Sequence, residues 1–152
     1  MAKSLSHTDE TGRAAMVDVG HKPPQRRRAV ATGQIALAEH TRTLVRDNQV
    51  QKGDVLTVAK VAGIQAAKRT ANLIPLCHPL SLDRIDVQLE LTDTGVAAAA
   101  EVCCVGRTGV EMEALAAVSV ALLTVYDMCK AVDKTMRIGE IALIEKEKHD
   151  VD

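Results

Sequence analysis

A thiol and an imidazole stand side by side between two prolines in the segment Ile74-Pro75-Leu76-Cys77-His78-Pro79-Leu80. The prolines exclude both regular helix and central strand. The segment is therefore a rigid loop whose polar groups lose little freedom when a ligand arrives, as a binding site requires. A structural turn holding a buried cysteine has the same spelling. Zinc is disfavoured, because adjacent Cys and His rarely chelate one ion and no partner pair at metal-site spacing exists elsewhere; no metal site is expected. Glu111 and Glu113 open a long helical segment. There they either answer the helix dipole or serve a ligand. Asp127 and Lys130 lie at i and i+3 further along the same segment, where they make either an ordinary ion pair or, following the uncharged run 114–126, a buried pair with perturbed pKa values.

Arg26, Arg27, Arg28, Lys52, Lys68, Arg69, Arg107 and Lys130 are the candidates for a polyphosphate site. Arg offers a forked, permanent charge and Lys a point charge that can also transfer a proton. Any single member is equally at home on a solvated basic face. No G-x-x-x-x-G-K-[ST] and no G-x-G-x-x-G after a strand is present, so a nucleotide site here must be built from side chains.

These residues need elements to position them. Residues 1–14 are polar and lack the periodicity to dock, which predicts a flexible N-terminal arm ahead of one domain over 15–147 and a short tail over 148–152. Met16-Val17-Asp18-Val19 is a short strand candidate, and 28–37 a longer one. A short helix follows over 38–47. Asp54 caps a second helix running to about Thr70, with Val55, Ala59, Ala62 and Ala66 on one small-residue face. Residues 84–91 alternate as a half-buried strand, Asp93-Thr94-Gly95 turns the chain, and 96–105 returns as the second arm of a hairpin. A helix over 110–131 and a strand over 137–145 complete the order strand, helix, strand, strand, helix, strand. That order predicts an α+β fold of the ferredoxin-like, split-βαβ kind: an antiparallel sheet with two main helices on one face.

Apolar residues make up 47% of the chain but aromatics only 1%, so the core must be filled by small aliphatic side chains that favour close helix packing. The formal net charge of -1 argues against bulk binding to a nucleic acid, and the absence of Phe and Trp removes the stacking platform of an RNA-binding sheet. The run 114–126 is too short to span a bilayer and reads as a buried helix. Cys77, Cys103, Cys104 and Cys129 form no C-x-x-C pair, and no signal-peptide pattern precedes them, which fits a cytoplasmic setting.

Six words in sequence carry a resemblance: Met16-Val17-Asp18-Val19, Lys52-Gly53-Asp54-Val55, the stretch 62–70, the stretch 73–80, the stretch 108–115 and Tyr126-Asp127-Met128-Cys129-Lys130-Ala131-Val132. Together they resemble the cyclic pyranopterin monophosphate synthase family of molybdenum cofactor biosynthesis, over about residues 6–147. The resemblance implies a lyase that converts 3',8-cyclo-7,8-dihydroguanosine 5'-triphosphate to cyclic pyranopterin monophosphate and diphosphate, without a cofactor, in a hexamer built as a trimer of dimers. It implies that Leu76, Cys77, His78, Met112 and Glu113 bind substrate and that Asp127 is catalytic. Lys52 and Lys130 are its proton-handling lysines, with Lys130 tuned by Asp127 and partial burial. Arg27 matches the family's phosphate-binding arginine, and Glu111, Lys68 and Lys146 complete the binding set. A non-catalytic nucleotide-binding or assembly module is the rival; it has no need of Lys52, Asp127 and Lys130 together.

Glu113 and Asp127 stand ~21 Å apart along one helix at ~1.5 Å per residue, yet only ~40° apart around its axis. If both serve one small heterocycle, the site is shared between two antiparallel subunits, with the stretch 114–126 in the contact.

Overall fold

A computed structural model of the chain describes residues 8–9 and 11–151. Of the arm expected over 1–14, residues 1–7 and 10 lie outside the described residues, while Thr8 and Ala14 form an antiparallel bridge. The elements are β1 (Gln25–Ala36), α1 (Glu39–Arg46), α2 (Val55–Lys68), α3 (Thr70–Leu73), β2 (Arg84–Leu91), β3 (Gly95–Gly106), α4 (Glu111–Cys129) and β4 (Arg137–Asp150). The fold is α+β. The sheet runs β2-β3-β1-β4 with every neighbouring pair antiparallel, so β3 is inserted between β1 and β2.

Alternation decides which face of the sheet is covered. Ala29, Ala31 and Ile35 of β1, Val96, Ala98, Ala100 and Val102 of β3 and Val87 of β2 all point inward and are buried. α4 lies over β1 and α2 over β2, and the small side chains bring these layers unusually close. A Cβ at Gly63 in α2 would stand 2.9 Å from the Ala117 carbonyl oxygen of α4, and one at Gly33 in β1 would stand 2.8 Å from Val118 Cγ1. Glycine at these two positions is thus what lets α4 seat so close to β1 and α2. Among the described helices α4 is long and apolar enough to cross a membrane, but its inward side is taken up by the sheet and α2, where Ala114, Ala117, Val118, Ala121, Leu122 and Val125 are fully buried.

Asp54 caps α2 as expected, its side chain accepting from Thr57 N at 3.1 Å and Thr57 Oγ1 at 2.6 Å. Two expectations are corrected. Residues 16–19 form no strand: Asp18 accepts from Gly20 N at 2.8 Å, a local turn bond that competes with ladder pairing. β4 extends to Asp150 instead of ending near 145, so residues 148–150 belong to the sheet. Polar cross-strand pairs hold that extension: Arg28 meets Glu145 at 2.5 Å and Glu147 at 3.6 Å, and Gln25 Nε2 donates to Asp150 Oδ1 at 2.8 Å.

Candidate active site

The loop 74–80 leaves α3 in a tight turn, with Cys77 N donating to the Ile74 carbonyl at 3.1 Å, and faces the first turn of α4. Between them opens a cleft of about 390 Å3 lined by Leu76, Cys77, His78, Glu111, Met112 and Glu113, together with Thr108 and Gly109 of the turn before α4. The third wall is the irregular segment that follows the N-terminal bridge: Val17, Val19 and Lys22. His78 Nε2 sits 2.7 Å from the Val17 carbonyl. Since a carbonyl only accepts, Nε2 carries the proton, and a neutral ring then offers Nδ1 as acceptor.

Glu113 is 4% exposed and has no ion pair among the described residues. Burial pushes its carboxyl above the usual range, with Glu111 adding to the rise against a bond from its own backbone. It also borders a smaller cavity of about 100 Å3 that holds Lys68 and Arg69. Burial, with Glu113 nearby, raises the Cys77 thiol; a neutral thiol is a poor nucleophile and a contact surface instead. Glu111 pairs with Lys146 of β4. Arg27 braces the turn before α4, its Nε and Nη2 each 3.4 Å from the carbonyls of Gly106 and Arg107 respectively.

Glu113 carries a stability consequence. A carboxyl whose folded pKa lies above its unfolded value favours the fold fully below the unfolded pKa, and that contribution is lost as pH rises through the folded one. Glu113→Gln is therefore expected to raise the stability at pH 7 by about 1 kcal/mol and to match the wild type near pH 4, as paired thermal melts at the two pH values will show. Equal melting temperatures at pH 7 would mean the buried charge is compensated.

At the far end of α4 lies a separate cluster. Asp127 Oδ1 meets Lys130 Nζ at 2.7 Å and its Oδ2 meets Lys52 Nζ at 2.7 Å; Lys52 also donates to the Asp127 carbonyl at 3.2 Å. The turn after α1 delivers Lys52, using Asn48 and Gly53 at φ 52° and 99°. Bonds from Lys130 and Lys52 hold the Asp127 carboxyl down at about 2, and Asp127 raises Lys130 in turn. The three side chains are between 49% and 55% exposed. Pairing rather than the expected partial burial therefore sets their charges.

Nine of the twelve residues to which the resemblance gives a role gather at or beside the N-terminal end of α4: Leu76, Cys77, His78, Glu111, Met112 and Glu113 in the cleft, Lys68 behind Glu113, Lys146 on Glu111, and Arg27 under the turn. Lys52, Asp127 and Lys130 gather at the other end, and within this chain the two groups stay apart. Sequence reasoning missed Val17, Val19 and Lys22 as cleft walls. The signals were the Met16-Val17-Asp18-Val19 word of the resemblance and the turn spelled by Asp18-Val19-Gly20 ahead of Pro23 and Pro24.

An α+β fold with a side-chain-lined cleft at one end of a helix and a carboxylate held between two lysines at the other has the features of a small-molecule enzyme. The chain belongs to the MoaC family, whose model matches residues 16–149. It is 58% identical over 144 residues to a cyclic pyranopterin monophosphate synthase of Thermomicrobium roseum, covering 93% of this chain and 87% of that protein. It is 56% identical over 142 residues to a molybdenum cofactor biosynthesis bifunctional protein of Chlorobaculum tepidum, of which it spans 46%.

Proposed function

We propose that this chain is a cyclic pyranopterin monophosphate synthase, a lyase of molybdenum cofactor biosynthesis that converts 3',8-cyclo-7,8-dihydroguanosine 5'-triphosphate to cyclic pyranopterin monophosphate and diphosphate. The observation that carries this reading is the joint presence of the Lys52–Asp127–Lys130 cluster and the cleft around His78 and Glu113 in a chain of this family. A nucleotide-binding module would need the cleft but not a carboxylate held ionised between two lysines.

The reaction opens a purine-derived ring system, rebuilds it as a pterin and closes a cyclic phosphate as diphosphate departs. It moves protons and phosphate charge but no net electrons, so no redox cofactor is required. In the resting cluster both lysines bond to an ionised carboxylate and serve as proton donors, with Asp127 holding them in place. His78, Glu113, Met112, Leu76 and Cys77 orient the heterocycle. Arg27, Lys68, Lys146 and Lys22 supply positive charge for the phosphates.

The working unit in this reading is an antiparallel dimer within a hexamer, a trimer of dimers, in the cytoplasm. Support comes from α4: Met112, Leu123 and Tyr126 are exposed apolar residues on the flank away from α2, and Leu143 of β4 is exposed as well. Met112 and Lys130 fall on almost the same azimuth at ~100° per residue, so a second α4 laid along this stripe would bring the cleft of one subunit to the cluster of the other. The free state of all four cysteines accords with a reducing compartment. Incubation of the purified protein with the cyclised triphosphate, followed by chromatography, is expected to yield the cyclic pterin and diphosphate in equal amounts. Unchanged substrate would reject the assignment.

A further inference from the structure

Asp133 lies just past α4 and is only 3% exposed. Its Oδ2 accepts from Ala38 N at 2.8 Å, and its Oδ1 accepts from Thr135 N at 2.9 Å and from Thr135 Oγ1 at 2.8 Å. Its own N–H donates to the Cys129 carbonyl at 3.1 Å, which anchors it to the last turn of α4. Ala38 is the N-cap of α1 and has no capping side chain of its own. Asp133 thus supplies the cap of α1 from a different part of the chain, and its negative charge also answers the positive end of that helix.

Of the two elements it joins, α4 carries two members of the charged cluster and α1 leads to the third. Asp127 and Lys130 stand at the end of α4, while Lys52 follows α1 through a turn that Gly53 N closes onto the Val50 carbonyl at 2.9 Å. We infer that Asp133 is a positioning residue for catalysis: by tying the start of α1 to the end of α4 it sets the distance between Lys52 and the Asp127–Lys130 pair. Burial alone raises a carboxyl, but the bonds from Ala38 and Thr135 outweigh it and keep Asp133 ionised. The tie is accordingly a charge-assisted one. The inference rests on the reading of Lys52, Asp127 and Lys130 as the proton-handling cluster.

Two variants test it. Asp133→Asn replaces one accepting oxygen with an NH2 that cannot take the bond. Ala38→Pro deletes only the N–H, and Ala38 already has the φ of -60° and extended ψ that proline requires. The first readout is independent of turnover: the Asp127 carboxyl, followed by carbon NMR, should titrate near 2 in the wild type and roughly one pH unit higher in both variants, as one of its two lysine partners withdraws. The second is conversion of the cyclised triphosphate, where kcat should fall at least ~10-fold while KM changes less than ~2-fold. An unshifted Asp127 in either folded variant overturns the inference, whatever the rate does. If Asp133→Asn fails to fold, Ala38→Pro decides alone. Failure of the wild type to convert the substrate would reject the functional assignment, and the Asp127 titration would then decide by itself whether Asp133 sets the geometry of the cluster.

Discussion

Glu113→Ala and Asp127→Ala subunits, each inactive by itself, are expected to regain activity when mixed and allowed to exchange. The reason is geometric. The two residues occupy opposite ends of α4, a rigid rod seated on β1 and α2, and their backbones are ~21 Å apart; no side-chain motion closes that gap around one heterocycle. In an antiparallel dimer each site takes Glu113 from one subunit and Asp127 from the other. A mixed dimer then has one site with both lesions and one with neither. With random exchange half the dimers are mixed, so activity should recover to ~25% of the wild type. Silence after exchange verified by mass spectrometry would mean that each subunit works alone or that one of the two residues lies outside the site.

Replacing either lysine of the charged cluster should lower kcat by at least ~100-fold while thermal melts and secondary structure stay close to the wild type. Both lysines are half exposed, so the fold loses little when they are truncated. The informative variants are Lys130→Arg and Lys52→Arg. Arginine keeps the positive charge beside Asp127 but holds its proton at every working pH. If the lysines only neutralise phosphate, these variants retain much of the activity; if they deliver protons, they are as dead as the alanine variants. In the resting cluster Asp127 is ionised down to about pH 2 and keeps Lys130 protonated beyond the usual range, a state that suits either role, so the arginine variants decide between them.

The parts of this molecule that follow a local rule were legible in its sequence. Asp54 announced its helix by capping chemistry, and 84–91 announced its strand by strict alternation. The proline-bounded loop and the acidic start of α4 announced one half of the site. What escaped is set by long-range pairing. The end of β4, from Glu145 to Asp150, has no apolar alternation and exists because its charges and amides meet Arg28 and Gln25 across the sheet. Met16 to Val19 has the alternation of a strand but lends the Val17 carbonyl to His78 instead of to a ladder. Asp133 carries no local signal of its role, because its partner, the N–H of Ala38, is a backbone group that side-chain patterns do not reveal.

The close seating of α4 at Gly33 and Gly63 turns this helix into a ruler. Deleting a single residue between Glu113 and Asp127 would rotate one half-site ~100° away from the other. Adding two full turns would restore the phase but lengthen the span by ~10 Å. If the site is divided as proposed, insertions and deletions between those two carboxylates are expected to abolish activity, because no side chain can make up the lost phase or the added length.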